Sequence, residues 1–169
     1  MPRLTNAERD AFLQEPGILC RIATIREDGA PYVTPAWFIE REGRIYITPR
    51  SRSAWLGHIR REPRVSITID EEAHPYRKVR LDGRANIDYD VGVDDQWRDL
   101  YRDIAKRYVP PEGAERYIQE TIDQPRALLS IGLDEAKVTT WRMPVQGESF
   151  AGIWHDRYYD EGTKLKGQQ

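Results

Sequence analysis

Val65, Ile67 and Ile69 alternate with Arg64, Ser66 and Thr68, and this two-residue period constrains the chain more than any other feature. It describes an extended strand with one face buried and the other wet. Val79, Leu81 and Ala85 continue the period after Tyr76, so two antiparallel strands joined by the acidic loop 70–75 are expected. Upstream, residues 18–25 are apolar and β-prone, Asp28-Gly29 is a hairpin signal, and residues 32–40 resume the β-rich composition. Glu42-Gly43 turns the chain again before residues 45–48, which read as the third strand of a meander. Further extended pieces are expected at 126–132 and 138–141.

Helical signals fall between these strands. Thr5 and Glu8 form a capping-box pattern ahead of a short helix that Pro16-Gly17 ends. A second helix fits residues 53–61, with Ser53 as N-cap, Trp55, Leu56 and Ile59 on one face, and Pro63 beyond its end. From Asp94 to Tyr108, Trp97, Leu100, Tyr101, Ile104, Ala105 and Tyr108 trace one apolar stripe, with Asp94 and Asp95 at the positive end of the helix. Pro110-Pro111 stops it, and Ala114, Tyr117, Ile118 and Ile122 suggest a shorter helix ending near Pro125. Six to seven short antiparallel strands with marginal helices make a mainly β fold, a small closed or split barrel. At 169 residues the chain suits one domain, placed at 1–145, with a partly irregular tail at 146–169 that frays over 162–169.

Composition narrows the function. No apolar run approaches the roughly 20 residues of a membrane span, and the N-terminal stretch lacks the apolar core of a secretory signal, so a cytoplasmic protein without membrane partners is expected. A net charge of −2 argues against nucleic acid. The middle of the chain is nevertheless basic: Arg50, Arg52, Arg60, Arg61 and Arg64 are followed by Arg77, Lys78, Arg80 and Arg84, which points to a small anionic ligand. The single cysteine, Cys20, lies in an apolar run and reads as buried, so no disulfide framework or cysteine-based zinc site forms within the chain. His58, His74 and His155 show no ligand spacing, and no metal site is expected. Nucleophile-elbow, phosphate-loop, dinucleotide and zinc-protease motifs are missing.

Two local features carry chemistry. Residues 47–53, Ile-Thr-Pro-Arg-Ser-Arg-Ser, run from a strand end into a helix start, where unpaired N–H groups, hydroxyls and guanidinium groups can cradle a phosphate. Trp37, Trp55, Trp141 and Trp154 are available either to fill the core or to stack on a flat heterocycle, and Trp141 precedes a proline-bearing tail.

Ala23-Thr24, Asp28-Gly29-Ala30-Pro31, Val33-Thr34-Pro35-Ala36-Trp37-Phe38, Gly43, Ile45-Tyr46-Ile47-Thr48, Ser53 and Arg60-Arg61-Glu62-Pro63-Arg64-Val65 together resemble the core of the pyridoxamine 5'-phosphate oxidase-like, flavin-binding split-barrel superfamily. The resemblance is good over 18–87, fades in the central helices and returns weakly over 128–141. It implies a homodimer with FMN held between subunits, and relatives that bind a deazaflavin coenzyme (F-420) or haem give the alternatives. By motif position it implies that Val33, Thr34, Pro35 and Ala36 run along the flavin ring and that Thr48 and Ser53 meet the ribityl phosphate. Lys78 would approach the ring, and Trp141 would pack over it from the partner subunit. The superfamily's Ser-Arg-Lys phosphate clamp reads Ser53-Ala54-Trp55 here, so Trp55 occupies a cofactor position without a charge, and Arg50 or Arg52 is expected to substitute. The activity so implied is hydride transfer between the flavin and a small organic substrate, with no catalytic side chain required; the alternatives are a deazaflavin-dependent reductase and a non-catalytic flavin- or haem-binding protein of the same fold.

Overall fold

The computed structural model describes residues 2–151 and 153; Trp154, His155 and residues 162–169 lie outside the described residues. Two antiparallel sheets and four helices make up the described residues. Helix α1 (Asn6–Gln14) starts on the expected capping box, the Thr5 hydroxyl accepting from Glu8 N–H and the Glu8 carboxylate from Thr5 N–H. Strands β1 (Cys20–Ile25) and β2 (Pro31–Ala36) form the expected hairpin, with Gly29 supplying the positive φ of +83° its turn requires. Strand β3 (Phe38–Arg41) pairs with β4 (Arg44–Ile47), helix α2 (Ala54–Arg61) follows, and β5 (Arg64–Asp70) pairs with β6 (Lys78–Arg84). Strand β7 (Asn86–Tyr89), a 3-10 turn (Asp94–Gln96), helices α3 (Arg98–Lys106) and α4 (Pro111–Glu120), and strands β8 (Leu128–Gly132) and β9 (Lys137–Trp141) complete the order.

The strands form one sheet in the order β2-β1-β5-β6-β9 and a second in the order β3-β4-β8-β7. Among the described residues nine strands thus replace the six to seven expected, for two physical reasons. The β-rich run 32–40 breaks at Trp37, so β2 closes the first sheet while β3 enters the second, and the expected three-strand meander is two hairpins in different sheets. Strand β7 carries no alternation to reveal it, because all four of its residues are exposed. The long helix expected from Asp94 divides at Trp97 into the 3-10 turn and α3, while Pro111 opens α4 rather than merely stopping α3, as proline's fixed φ permits at a first helical position.

One core fills the space between the sheets. Ile22, Ile67, Ile69, Val79 and Leu81 of the first sheet and Ile45, Ile47, Leu129 and Ile131 of the second are buried with Phe12, Leu13, Leu56 and Ile59 from the helices. Each such side chain contributes about 1.5–3 kcal/mol of burial. Cys20 is buried as expected; its thiol donates to the Ala36 carbonyl at 3.3 Å, and burial pushes it up to about 12. Strand β2 lies at an edge of its sheet and carries Pro31 and Pro35, both exposed. Among the described residues no helix is long and apolar enough to cross a membrane.

Candidate functional site

A cleft of about 380 Å³ opens where the two sheets separate beside Trp37. Pro35 and Ala36 at the end of β2, with Trp37, form one wall. Trp37 stacks on Tyr108 at 5.0 Å and 2° between planes, and the Tyr108 hydroxyl fixes the corner: it donates to the Ile18 carbonyl at 2.8 Å and accepts from Phe38 N–H at 3.0 Å. Burial pushes this phenol up to about 12, so it stays neutral and keeps the proton it donates. Thr48, Pro49, Arg50 and Ser53 also line the cleft, with Trp55 from the first turn of α2.

The floor brings in residues distant in sequence: Tyr101 of α3, Tyr117 of α4 and Arg126 just ahead of β8. Arg126 is drawn against the loop after β4 by a two-residue bridge to Arg50, flanked by Ala127 N–H on the Pro49 carbonyl (3.0 Å) and Ser51 N–H on the Pro125 carbonyl (2.9 Å). The Asp94 carboxylate also holds this segment, accepting Arg126 N–H at 2.7 Å and Gly92 N–H at 3.3 Å. Only 6% of Arg126 is exposed. Its guanidinium lies over the Tyr101 ring at 4.6 Å and donates to the Thr48 carbonyl at 3.2 Å and the Tyr117 hydroxyl at 3.1 Å. Its Nε is buried without a hydrogen-bond partner. Arg50, itself exposed, donates to the same Tyr117 oxygen at 3.3 Å.

Two guanidinium groups therefore share one phenol oxygen in a cleft whose lining contains no carboxylate. Burial raises the Tyr117 phenol, but Tyr101 and the Arg126 and Arg50 guanidinium groups outweigh it and hold the group below its ordinary value. Tyr101 moves the other way, pushed up by burial and by its neighbour Tyr117. Such a surface can bind an oxyanion, and the flat aromatic and proline wall can lie against a planar apolar group.

Of the residues singled out from sequence, Pro35, Ala36, Thr48, Arg50, Ser53 and Trp55 line this cleft. The Ser53 side chain makes no capping hydrogen bond to α2. Val33 and Thr34 lie along β2 outside the lining, Val33 being 62% exposed, and Arg52 is exposed beside the cleft. Lys78 and Trp141 meet each other across the β6–β9 pairing, the ammonium 4.5 Å from the indole ring, at the edge of the first sheet opposite β2. His58 and His74 are engaged elsewhere, with Thr24 Oγ1 and the Pro144 carbonyl, each at 3.0 Å. Sequence reasoning missed Arg126, Tyr117 and Tyr101 as site residues. The one local hint was a cation opening the otherwise buried segment Ala127-Leu128-Leu129-Ser130-Ile131.

Solved structures share this architecture. A conserved hypothetical protein from Mycobacterium tuberculosis is 21% identical over 88% of this chain and 94% of its own, with a TM-score of 0.68. An FAD-binding protein from Mesorhizobium loti is 20% identical over 82% and 93%, with a TM-score of 0.59. An F420 reductase is 21% identical over 78% and 94%, with a TM-score of 0.54. No curated protein matches by sequence. These likenesses establish the fold, which is a split barrel. The family model described as pyridoxamine 5'-phosphate oxidase matches residues 5–140, and the chain belongs to that family.

Proposed function

We propose that this protein is a cytoplasmic, homodimeric oxidoreductase that binds FMN in the cleft beside Trp37 and acts on a small organic substrate. The observation that carries the reading is the cleft itself: an apolar wall of Pro35, Ala36 and Trp37 shares it with a loop and floor bearing Arg50 and Arg126, with no carboxylate in the lining. Membership of the family and the FAD-binding and F420 reductase relatives of like fold support it. The residues present fit the cofactor on a test independent of the family: Arg50 and Arg126 line the cleft, they converge on the Tyr117 hydroxyl, and the lining holds no carboxylate to neutralise them.

When bound, a flavin supplies hydride transfer, which is the cofactor's own chemistry. The chain supplies binding and orientation. Thr48 and Ser53 offer hydroxyls, Arg50 and Arg126 offer charge, and Pro35 through Trp37 exclude water from one face. The Tyr108 lock keeps that wall rigid by tying Phe38 and Ile18 together. Lys78 on β6 and Trp141 on β9 sit three and four strands from β2, so a second copy's Lys78 and Trp141 would complete the ring side, which is why the dimer belongs to the proposal.

The F420 reductase relative supports a second reading, in which a deazaflavin coenzyme takes the place of FMN. Fluorescence titration of the purified chain with FMN and with the deazaflavin separates the two. Tight binding of FMN is the expected result, and exclusive binding of the deazaflavin replaces it with the second reading. A protein that binds neither, or that carries a haem Soret band, overturns both. Sedimentation is expected to give a dimer at micromolar concentration.

A further inference from the structure

Lys78 opens β6 and Trp141 closes β9, so the pair they form stands at a corner of the first sheet, where a strand end meets a sheet edge. Strand ends at an edge open most readily, because a neighbour holds them on one side alone. This corner is nevertheless fastened on both strands, and both fastenings lead to the same helix. On β9, the Thr140 hydroxyl accepts Leu4 N–H at 3.1 Å and donates to the Leu4 carbonyl at 3.2 Å, and Arg142 N–H donates to the Pro2 carbonyl at 3.2 Å. Leu4 is itself buried in the core, one residue ahead of the Thr5 cap of α1. On β6, the residue before Lys78 is Arg77, which donates to Glu15, the C-cap of α1, at 2.7 and 2.8 Å. Met143 N–H closes the bracket on the Pro75 carbonyl at 2.7 Å. The approach to α1 thus holds the strand that carries Trp141, and the end of α1 holds the strand that carries Lys78.

A hydroxyl that accepts from and donates to one and the same residue fixes the backbone of Thr140 against Leu4, and with it the direction in which the next side chain leaves the strand. The Lys78 ammonium lies 4.5 Å from the Trp141 ring. An indole whose strand and cation partner are both anchored is ordered before any ligand arrives. We propose that α1 with residues 2–5 is a brace for the Lys78–Trp141 pair, and that Thr140 is its positioning residue. The inference rests on the reading above, in which one copy's Lys78 and Trp141 complete the ring side of the other copy's cleft. The brace sets the angle at which the indole meets that ring, and binding then orders nothing further at this corner.

The experiment uses the full chain labelled with fluorotryptophan, the Trp141 fluorine resonance being assigned with Trp141→Phe. Thr140 is half-buried, and Thr140→Val keeps its shape and strand preference while removing both bonds to Leu4; Thr140→Ser keeps the hydroxyl. Without ligand, Thr140→Val is expected to shift and broaden the Trp141 resonance and to leave those of Trp37 and Trp55 in place, and Thr140→Ser to restore it. FMN, titrated by fluorescence, is expected to bind Thr140→Val more weakly by about threefold or more, and Thr140→Ser as tightly as wild type. A Trp141 resonance unmoved in Thr140→Val overturns the brace. A resonance that moves while FMN affinity keeps its wild-type value overturns the role of the brace toward the ligand. Wild type that binds no FMN overturns the flavin reading, and a Trp141 resonance that moves in Thr140→Val and returns in Thr140→Ser upholds the brace even then.

Discussion

Arg77 and Arg126 look alike and do opposite things. Each guanidinium covers an aromatic ring, Phe12 at 4.5 Å and Tyr101 at 4.6 Å, and each ties together parts of the chain distant in sequence. Arg77 is saturated with charge: Glu15 accepts at 2.7 and 2.8 Å and Glu71 at 2.9 and 2.6 Å. Arg126 has no carboxylate partner among the described residues, and its Nε is buried without a hydrogen-bond partner. The difference separates a guanidinium saturated by carboxylates from one that lines a cleft without a counter-ion, and it is visible only in the company each keeps.

The largest expected effect breaks the first of the pair. Arg77→Met strands two carboxylates, one of them on the largely buried Glu71, and should cost about 2–3 kcal/mol in urea unfolding at neutral pH. Arg126→Met removes a charge that lacks a counter-ion and should change stability by less than about 1 kcal/mol, or raise it. Equal losses in the two variants would make Arg126 a structural residue like Arg77.

Acid sharpens the contrast. Hydrogen bonding to Arg77 holds the Glu71 carboxyl below its ordinary value near 4.5. A group depressed on folding contributes its full stability above the unfolded value, and that stability is lost as pH falls through the lower folded value. Thermal melts of wild type should therefore steepen below about pH 4.5, and Arg77→Met should show a shallower fall there. A variant with the wild-type slope would show that the pair does not couple to folding.

The cleft should answer at alkaline pH instead. Ultraviolet titration is expected to find the Tyr117 phenol ionising below the ordinary tyrosine value near 10, and Arg126→Met should move it upward. Tyr117→Phe should abolish that early transition. The smallest effect belongs to Arg52, exposed and outside the lining: Arg52→Ala should leave stability within about 0.5 kcal/mol and FMN affinity within about twofold. A larger loss of affinity would extend the anion site outward past Arg50.

What could be read from sequence follows the range of the forces involved. The capping box at Thr5 and Glu8, the Asp28-Gly29 hairpin and the alternation of β5 are local, and each emerged where expected. The loop from Thr48 to Ser53 was legible as lining a site because strand end, hydroxyls and helix start adjoin in sequence, and Thr48, Arg50 and Ser53 line the cleft. Trp37 was not legible as a corner, since residues on both sides are equally β-prone and the Tyr108 contact that fixes it comes from 70 residues away. Arg126 escaped for the same reason: its carbonyl partner Thr48 is 78 residues upstream, and its own neighbours announce only a buried strand. Tyr101 and Tyr117 satisfied an apolar helical stripe so well that a second role left no mark on the periodicity.

The prolines of β2 have a consequence for assembly. Arg26 N–H bonds to the Ala30 carbonyl in the hairpin, so Pro31, Val33 and Pro35 fall at the positions whose amides turn away from β1. Two of those three positions have no hydrogen to give. A foreign strand laid along this edge would find the ladder interrupted at every second outward rung, which guards the protein against edge-to-edge polymerisation. Any copy that approached along the β2 edge would then have to meet it through side chains rather than by extending the sheet through that strand.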